Sequence, residues 1–557
     1  MNHAFITTAI VLTSALTLLA CSSKAPKAPA KDKNAASQDT ANTPAPSKPA
    51  QPTATAALDG AALAKTHCGG CHKVPSPQDL PSESWPFVLG WMDNYLGHPN
   101  ITDDNRGLVV RQYVPATPPI TDAQRRAIHK HYLDNAAPQA KMLAGRQDDW
   151  PQIDLFEPSV PEKLGLTPHD MTTLLHLDEA NGRLYVGTGR RRQLHIFNPA
   201  TGQRFDTVQM PTEPVTVTPQ GPDKYRLTLM GSFDFDEGLG QIRQIEGFGD
   251  QRKEVALLVG AHRLTQSLTQ DLDADGRPDM VMVGFGDGYG PGGMGTLSVL
   301  WQLPDYDKVM ASPPSSQPLG PLPGTFSVDP LVRQAGPLNS VVADFNKDGK
   351  PDIALAMAQG HQQVLIFENK GTRKFERHTI MDQHPGFGFN HVSAADFDND
   401  GLLDLVVTNG NNMEQPNPPL RPYHGVRILK NLGDFAFKEV AFIPVHGTME
   451  AASADFDNDG DLDIAATAFF PDWTQDRPQT FVYLRNDGQW RFTPHRLPDA
   501  TPWGRWMRLT VGDATGDGAP DIILGSGSIP MGIPKGDYAK WESKFASVPA
   551  VLLLRHK

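Results

Sequence analysis

One nine-residue pattern, Asp-x-(Asp/Asn/Thr)-x-Asp-Gly-x-x-Asp, occurs five times in this chain, beginning at Asp271, Asp344, Asp396, Asp455 and Asp513. Oxygens at positions 1, 3 and 5 converge only where the backbone curls tightly around a point. The Gly at position 6 (Gly276, Gly349, Gly401, Gly460, Gly518) supplies the turn this curl requires. So many carboxylates gather only around a cation, and an oxygen-only ligand set points to a hard one, calcium before magnesium. Up to five calcium ions are expected. Their ligands would be Asp271, Asp273, Asp275 and Asp279; Asp344, Asn346, Asp348 and Asp352; and Asp396, Asp398, Asp400 and Asp404. The last two sets are Asp455, Asp457, Asp459 and Asp463, and Asp513, Thr515, Asp517 and Asp521. Asn346 and Thr515 replace Asp at position 3, which predicts weaker binding there. An EF-hand needs Glu at position 12, yet those positions hold Met282, Leu355, Val407, Ala466 and Leu524, which excludes that motif. The bland alternative is a set of Asp/Gly turns in solvent, and five copies in one register argue against it.

Each loop closes on the Asp at position 9 and runs straight into apolar residues, so a strand starts there. An apolar strand also leads in, and a third follows at 364–367, 426–429 and 481–484. The third ends on an Asn-x-Gly turn (Asn369, Asn431, Asn486) that joins antiparallel strands tightly, and a fourth strand begins beyond it. Loop starts are 73, 52, 59 and 58 residues apart, the long first interval holding a Pro-, Ser- and Gly-rich insertion from Pro304 to Pro337. Four antiparallel strands per period of about 55 residues make a propeller blade. The region 161–557 then holds about seven blades. Two blades without loops should precede Asp271, near 171–199 and 204–231. The chain ends on Val551-Leu552-Leu553-Leu554, a third strand whose missing fourth is expected from 153–156.

These loops resemble the FG-GAP/VCBS repeats of the integrin α-subunit head, a seven-bladed propeller with calcium at its blade loops. The resemblance is specific in the five loops and weak in the first two blades. The expected fold is mainly β: a seven-bladed β-propeller with four antiparallel strands per blade, preceded by a small all-α domain.

That α domain is marked by Cys68-Gly69-Gly70-Cys71-His72, the c-type haem attachment motif, and residues 58–145 resemble cytochrome c. Two thiols three residues apart can each add to a haem vinyl group, leaving the adjacent His72 as axial ligand. A redox dithiol or half a zinc site would leave His72 unexplained. Met92 is the expected second axial ligand, with His98, His129 and His131 as alternatives. Helices are expected at 58–67 and from Thr121, where Gln124 three residues on completes a capping box. Ahead of this domain, residues 1–21 read as an export signal whose apolar run is short for a membrane span. Leu18-Leu19-Ala20-Cys21 resembles the lipobox of bacterial lipoproteins, which implies lipidation at Cys21, with Ser22 favouring the outer membrane. The first residues lack Lys and Arg, a departure from that pattern, and an ordinary cleaved signal with a free Cys nearby is the alternative. Residues 22–57, rich in Ala, Pro and Lys, read as a disordered tether, and 146–160 as a linker. The whole chain resembles the bacterial family that fuses a c-type cytochrome to such a propeller.

A net charge of −13 argues against a nucleic-acid partner, and five bound calcium ions would cancel most of it. The three cysteines each have a separate role here, so no structural disulfide is expected. Asn339, His391, Glu450 and Arg508 stand five residues before the first Asp of their loops, and His169, Asp170, His262 and Arg263 are candidates for the same face. Such residues line either a working funnel or a solvated channel mouth. One covalent haem with both axial positions filled suits one-electron transfer. The leading expectation is a membrane-tethered electron carrier whose propeller binds a redox partner protein or a small-molecule electron donor. A periplasmic sugar or alcohol dehydrogenase working in the funnel, and an adhesion or polysaccharide-binding lipoprotein, are the alternatives.

Overall fold

In a computed structural model of the chain, residues 58–102, 114–143, 149–161, 164–232, 238–286, 295–314, 316–529 and 531–557 are described. The expected signal segment, Cys21 and the expected tether lie outside them. Among the described residues no helix is long and apolar enough to cross a membrane.

The position-9 Asp opens the second strand of all five loop-bearing blades: Asp279–Gly284, Asp352–Met357, Asp404–Asn409, Asp463–Ala468 and Asp521–Ser526. Every residue of these strands is buried, because each runs mid-sheet with a neighbouring blade against both faces. Seven antiparallel sheets form. The inner strands (Thr172–Asp178, Pro214–Gly221, Leu264–Gln270, Pro337–Ala343, Phe389–Ala395, Thr448–Ala454, Trp506–Gly512) touch one another in a closed cycle. Each interface between consecutive blades has its own apolar cluster, so the core is a ring rather than a centre. The chain is a seven-bladed β-propeller.

Closure differs from expectation by three residues. Phe156–Ser159 is the outer strand of the last blade, antiparallel to Val551–His556 with Phe156 opposite His556. Pro158 is harmless on this edge, where its missing N–H has no ladder partner to lose. Part of the expected linker 146–160 is therefore propeller: Trp150 is buried between the fifth and sixth blades, and the Ile153 N–H donates to Arg496 O at 3.0 Å. The first two blades also shift, to 172–209 and 214–261. Arg204–Gln209 is the fourth strand of the first blade, since the turn at Gly202 (φ +69°) folds the chain back within one sheet. The expected insertion is shorter, because Phe326–Arg333 is the fourth strand of the third blade. What remains carries a short helix, Tyr306–Ala311, and Gly320–Pro321, a fifth strand on the second blade.

The helical domain packs Gly60–Cys68 (α1), Trp85–Tyr95 (α2) and Asp122–Asn135 (α3) around Ala64, Trp85, Leu89, Ile128 and Tyr132. The capping box at Thr121 and Gln124 is present. A Cβ at Gly60 would fall 2.1 Å from Ala127 O, so α1 and α3 cross at a distance only glycine permits.

Phe156 packs against Phe456 and Tyr483 (centroids 5.8 and 6.2 Å apart), joining the closing strand to the sixth blade. Phe156→Ala should lower unfolding free energy by about 3–4 kcal/mol in a urea titration. An unchanged midpoint would mean the outer strand contributes little to closure.

Candidate functional sites

The Asp loops are built from backbone donors. In each, the position-1 carboxylate accepts the N–H of the position-6 Gly: Gly276 at 2.9 Å, Gly349 at 2.8, Gly401 at 2.7, Gly460 at 3.1 and Gly518 at 2.9. The position-5 carboxylates accept the N–H of position 7. Position 9 has a role the motif alone does not reveal. Its Oδ2 accepts the N–H of position 2 (Leu272, Phe345, Phe397, Phe456, Ala514). Its Oδ1 accepts an N–H at the end of the third strand (Gln302, Asn369, Asn431, Asn486, His556). The Asn of the turn then reaches across to the preceding blade, Asn369 Nδ2 donating to Leu272 O at 2.7 Å and Asn431 Nδ2 to Phe345 O at 2.9 Å.

In the three loops with Asp at position 3, one oxygen from each of positions 1, 3 and 9 lies within 4.8 Å of the others: Asp271/Asp273/Asp279, Asp396/Asp398/Asp404 and Asp455/Asp457/Asp463. Position 5 stands outside these triads. Asp271 Oδ1 and Asp457 Oδ1 are buried with no hydrogen-bond donor, an arrangement that an oxygen-seeking cation would relieve. Without a cation, burial pushes the carboxyls of Asp279, Asp352, Asp404 and Asp463 up to about 6; neighbouring loop carboxylates add to the rise and the N–H bonds oppose it. The donor set fits calcium.

Cys68 ends α1, and the Cys71 N–H turns back to Cys68 O at 3.2 Å. Both thiols are free, Cys68 half-buried and Cys71 exposed. Burial, then the neighbouring Cys71, raises the Cys68 pKa. His72 Nδ1 lies 3.0 Å from Lys73 O; a carbonyl only accepts, so Nδ1 carries the proton and Nε2 keeps its lone pair for a metal. The following loop is pinned by Tyr132 OH on Pro75 O (2.9 Å) and by Trp85 Nε1 on Pro77 O and Leu80 O (3.0 and 3.1 Å). Two thiols and a tautomer-fixed imidazole on one turn fit covalent haem. Met92 sits half-buried on α2. His129 is engaged by Asp93 at 2.9 Å and His98 Nε2 by Ile120 O at 3.0 Å.

This turn also meets the propeller, a contact with no local sequence signal. Lys73 Nζ donates to Asp382 O (2.7 Å), Tyr423 OH to Asp79 O (2.8 Å), and the Leu420 N–H to Gln139 Oε1 (3.1 Å), Gln139 beginning the short helix Gln139–Met142. His361, between the second and third strands of the fourth blade, has its pKa lowered by burial and then by nearby His72.

Of the funnel candidates, Asn339, His391, Glu450 and Arg508 do occupy equivalent places on inner strands. Three such residues fasten blades together. Asn339 Oδ1 accepts the Val392 N–H at 2.9 Å and Glu450 Oε2 the Leu509 N–H at 2.8 Å. Gln266, which sequence reasoning passed over, accepts the Ser340 N–H at 2.7 Å; counting five residues back from Asp271 finds it. His169 and Arg263 are not brought into this set. His169 is exposed in the turn Pro168–Asp170, and Arg263 lies before its inner strand with its guanidinium 4.8 Å from the Phe285 ring. Asp170 instead caps Thr167 N–H and pairs with Arg191 at 2.5 Å.

Residues 344–407, from the fourth-blade loop into the fifth blade, match the FG-GAP-like repeat family. No curated protein matches the chain. Among solved structures, similarity is found to the Pseudomonas aeruginosa periplasmic gluconolactonase (15% identity, 59% of this chain and 86% of that one, TM-score 0.37). It is also found to regucalcin, a calcium-binding protein from Agrobacterium tumefaciens (9%, 73% and 95%, TM-score 0.38), and to the WD40 repeats of RRP9 (8%, 73% and 99%, TM-score 0.43). At such identities none of these proteins' activities carries over.

Asp463→Ala strips the acceptor from two buried N–H groups and from Tyr483 OH, which should cost about 3–5 kcal/mol even after calcium is chelated. Asp457→Ala, which removes only loop oxygens, should lower the melting temperature in excess calcium and change little after chelation. If Asp463→Ala is as stable as the unaltered protein once calcium is chelated, position 9 has no separate structural role.

Proposed function

We propose that this chain is an exported, lipid-anchored c-type cytochrome that transfers single electrons, with a calcium-stabilised propeller as its partner- or substrate-binding platform. One arrangement carries the reading: the Cys68–His72 turn, with two unpaired thiols and His72 Nε2 available, is fastened to the fourth and fifth blades through Lys73, Asp79 and Gln139. Cys68 and Cys71 would hold the haem covalently, and His72 and Met92 would supply its iron with a nitrogen and a sulfur ligand. So bound, the group supplies a one-electron redox couple. The chain's own part is to fix His72 through Lys73 O and to hold the turn against a rigid surface where a partner can dock. Cys21 would carry the lipid and place the protein on the outer membrane, facing the periplasm or the cell surface. Up to five calcium ions would contribute folding free energy rather than chemistry. Asp residues with no organising ion would leave the platform's loops as clusters of like charge.

Expressed with periplasmic haem maturation, the chain should carry one covalent haem that resists acid-acetone extraction, and Cys68→Ala/Cys71→Ala should abolish it. Met92→Ala should remove the thioether–iron charge-transfer band of the ferric protein while leaving the haem attached. A colourless matured chain would overturn the reading. Reduction of the haem by a protein donor or quinol, but not by small organic substrates, would mark it as a carrier.

A further inference from the structure

The clasp between inner strands is interrupted between the fifth and sixth blades. There the residue facing the next strand is His391, in the place that Gln266, Asn339 and Glu450 fill elsewhere. The counterpart of the Ser340, Val392 and Leu509 amides at this step is that of Ala451, and His391 does not hold it: His391 Nδ1 is buried with no hydrogen-bond partner. Beside it Ser393 Oγ and Arg508 Nε are also buried and unpartnered. All three side chains line one cavity of about 660 Å³ in the funnel, together with Glu450, Glu179 and Asp513. That volume lies within the roughly 300–1,000 Å³ typical of small-molecule sites.

The charges decide what can enter. Arg508 Nη1 is 2.6 Å from Glu450 Oε1, and Glu450 Oε2 already accepts the Leu509 N–H, so the guanidinium charge is matched within the wall. His391 is kept neutral by burial and by Arg508, its pKa lowered to about 3. Glu179 adds negative charge, Asp513 belongs to a calcium loop, and Arg508 is the only cationic side chain among the described residues of the lining. An anion therefore meets repulsion. The polar side chains of the lining are Arg508, which donates, the Ser393 hydroxyl, which donates and accepts, and the His391 ring, whose nitrogens do either according to tautomer. Hydroxyl groups both donate and accept without charge, and several on one carbon chain suit all three side chains.

We propose that this gap in the clasp is a binding site for a neutral polyhydroxylated ligand, a sugar or sugar alcohol. Placing His391 there gives up one interblade hydrogen bond and leaves a polar pocket instead. The site names a ligand class for the platform and stands apart from the haem, since binding requires no electron transfer.

Calorimetric titration of the calcium-loaded, matured chain with D-glucose and D-glucitol as neutral probes and D-gluconate as the anionic one tests it. At least one neutral probe should bind, with gluconate weaker by about tenfold or more. Ser393→Ala should weaken the neutral probe by about tenfold, the loss of one hydrogen bond to a buried partner. His391→Gln should rebuild the clasp, raising the melting temperature while abolishing binding. Absence of heat with both neutral probes, gluconate binding as tightly, or unchanged affinity in both variants would each overturn the proposal. Because the readout is heat rather than colour, its failure leaves the haem reading standing, and a colourless chain leaves this one standing.

Discussion

A buried carboxylate whose two oxygens each accept a backbone N–H is the interaction on which the propeller depends. Position 9 of each loop supplies it, one oxygen fixing the start of the loop and the other the end of the third strand. A single side chain thus sets the register of three strands. The group is buried, and an ionised carboxyl in that setting is expensive unless a cation or strong donors lie beside it. A cation held by positions 1, 3 and 9 would lower that penalty, so ion binding and folding would be one equilibrium.

The ring follows from repeating this unit. Each blade alone exposes two apolar faces, and only neighbours on both sides cover them, which is why the core divides into seven interface clusters. The first two blades have no Asp loop and rely on aromatic contacts: Tyr185 and Tyr225 lie 5.5 Å apart, and the Arg183 guanidinium stands 4.6 Å from the Phe248 ring. Closure comes from Phe156–Ser159, which precedes the first blade in sequence, pairing with Val551–His556 in the last blade. The helical domain is hydrogen-bonded to that rigid ring, so the turn bearing Cys68, Cys71 and His72 inherits its position from the blades.

Much of the propeller was legible in the chain. The Asp pattern located five second strands to the residue, and the Asn-Gly turns located the third-to-fourth hairpins, because both rest on local backbone chemistry. The loop-free blades were read less well. Arg204–Gln209 looked like the opening of a blade, since nothing in sequence separates a hairpin turn within a sheet from a crossing between sheets. Four of the inner-strand residues are legible from their spacing, whereas Gln266 at the same offset carries no charge to set it apart from Arg263, and only its bond to the Ser340 N–H reveals its role.

The sequence by itself determined which residues curl into loops, where strands begin and that four strands repeat, since φ preference, turn chemistry and apolar patterning act over a few residues. Only the tertiary structure decided that Asn339 and Glu450 fasten blades while His391 leaves a gap, and that Lys73 and Tyr423 join the helical domain to the ring. Those pairs are separated by tens to hundreds of residues along the chain, and the role of each is set by the partner that ring closure brings opposite it.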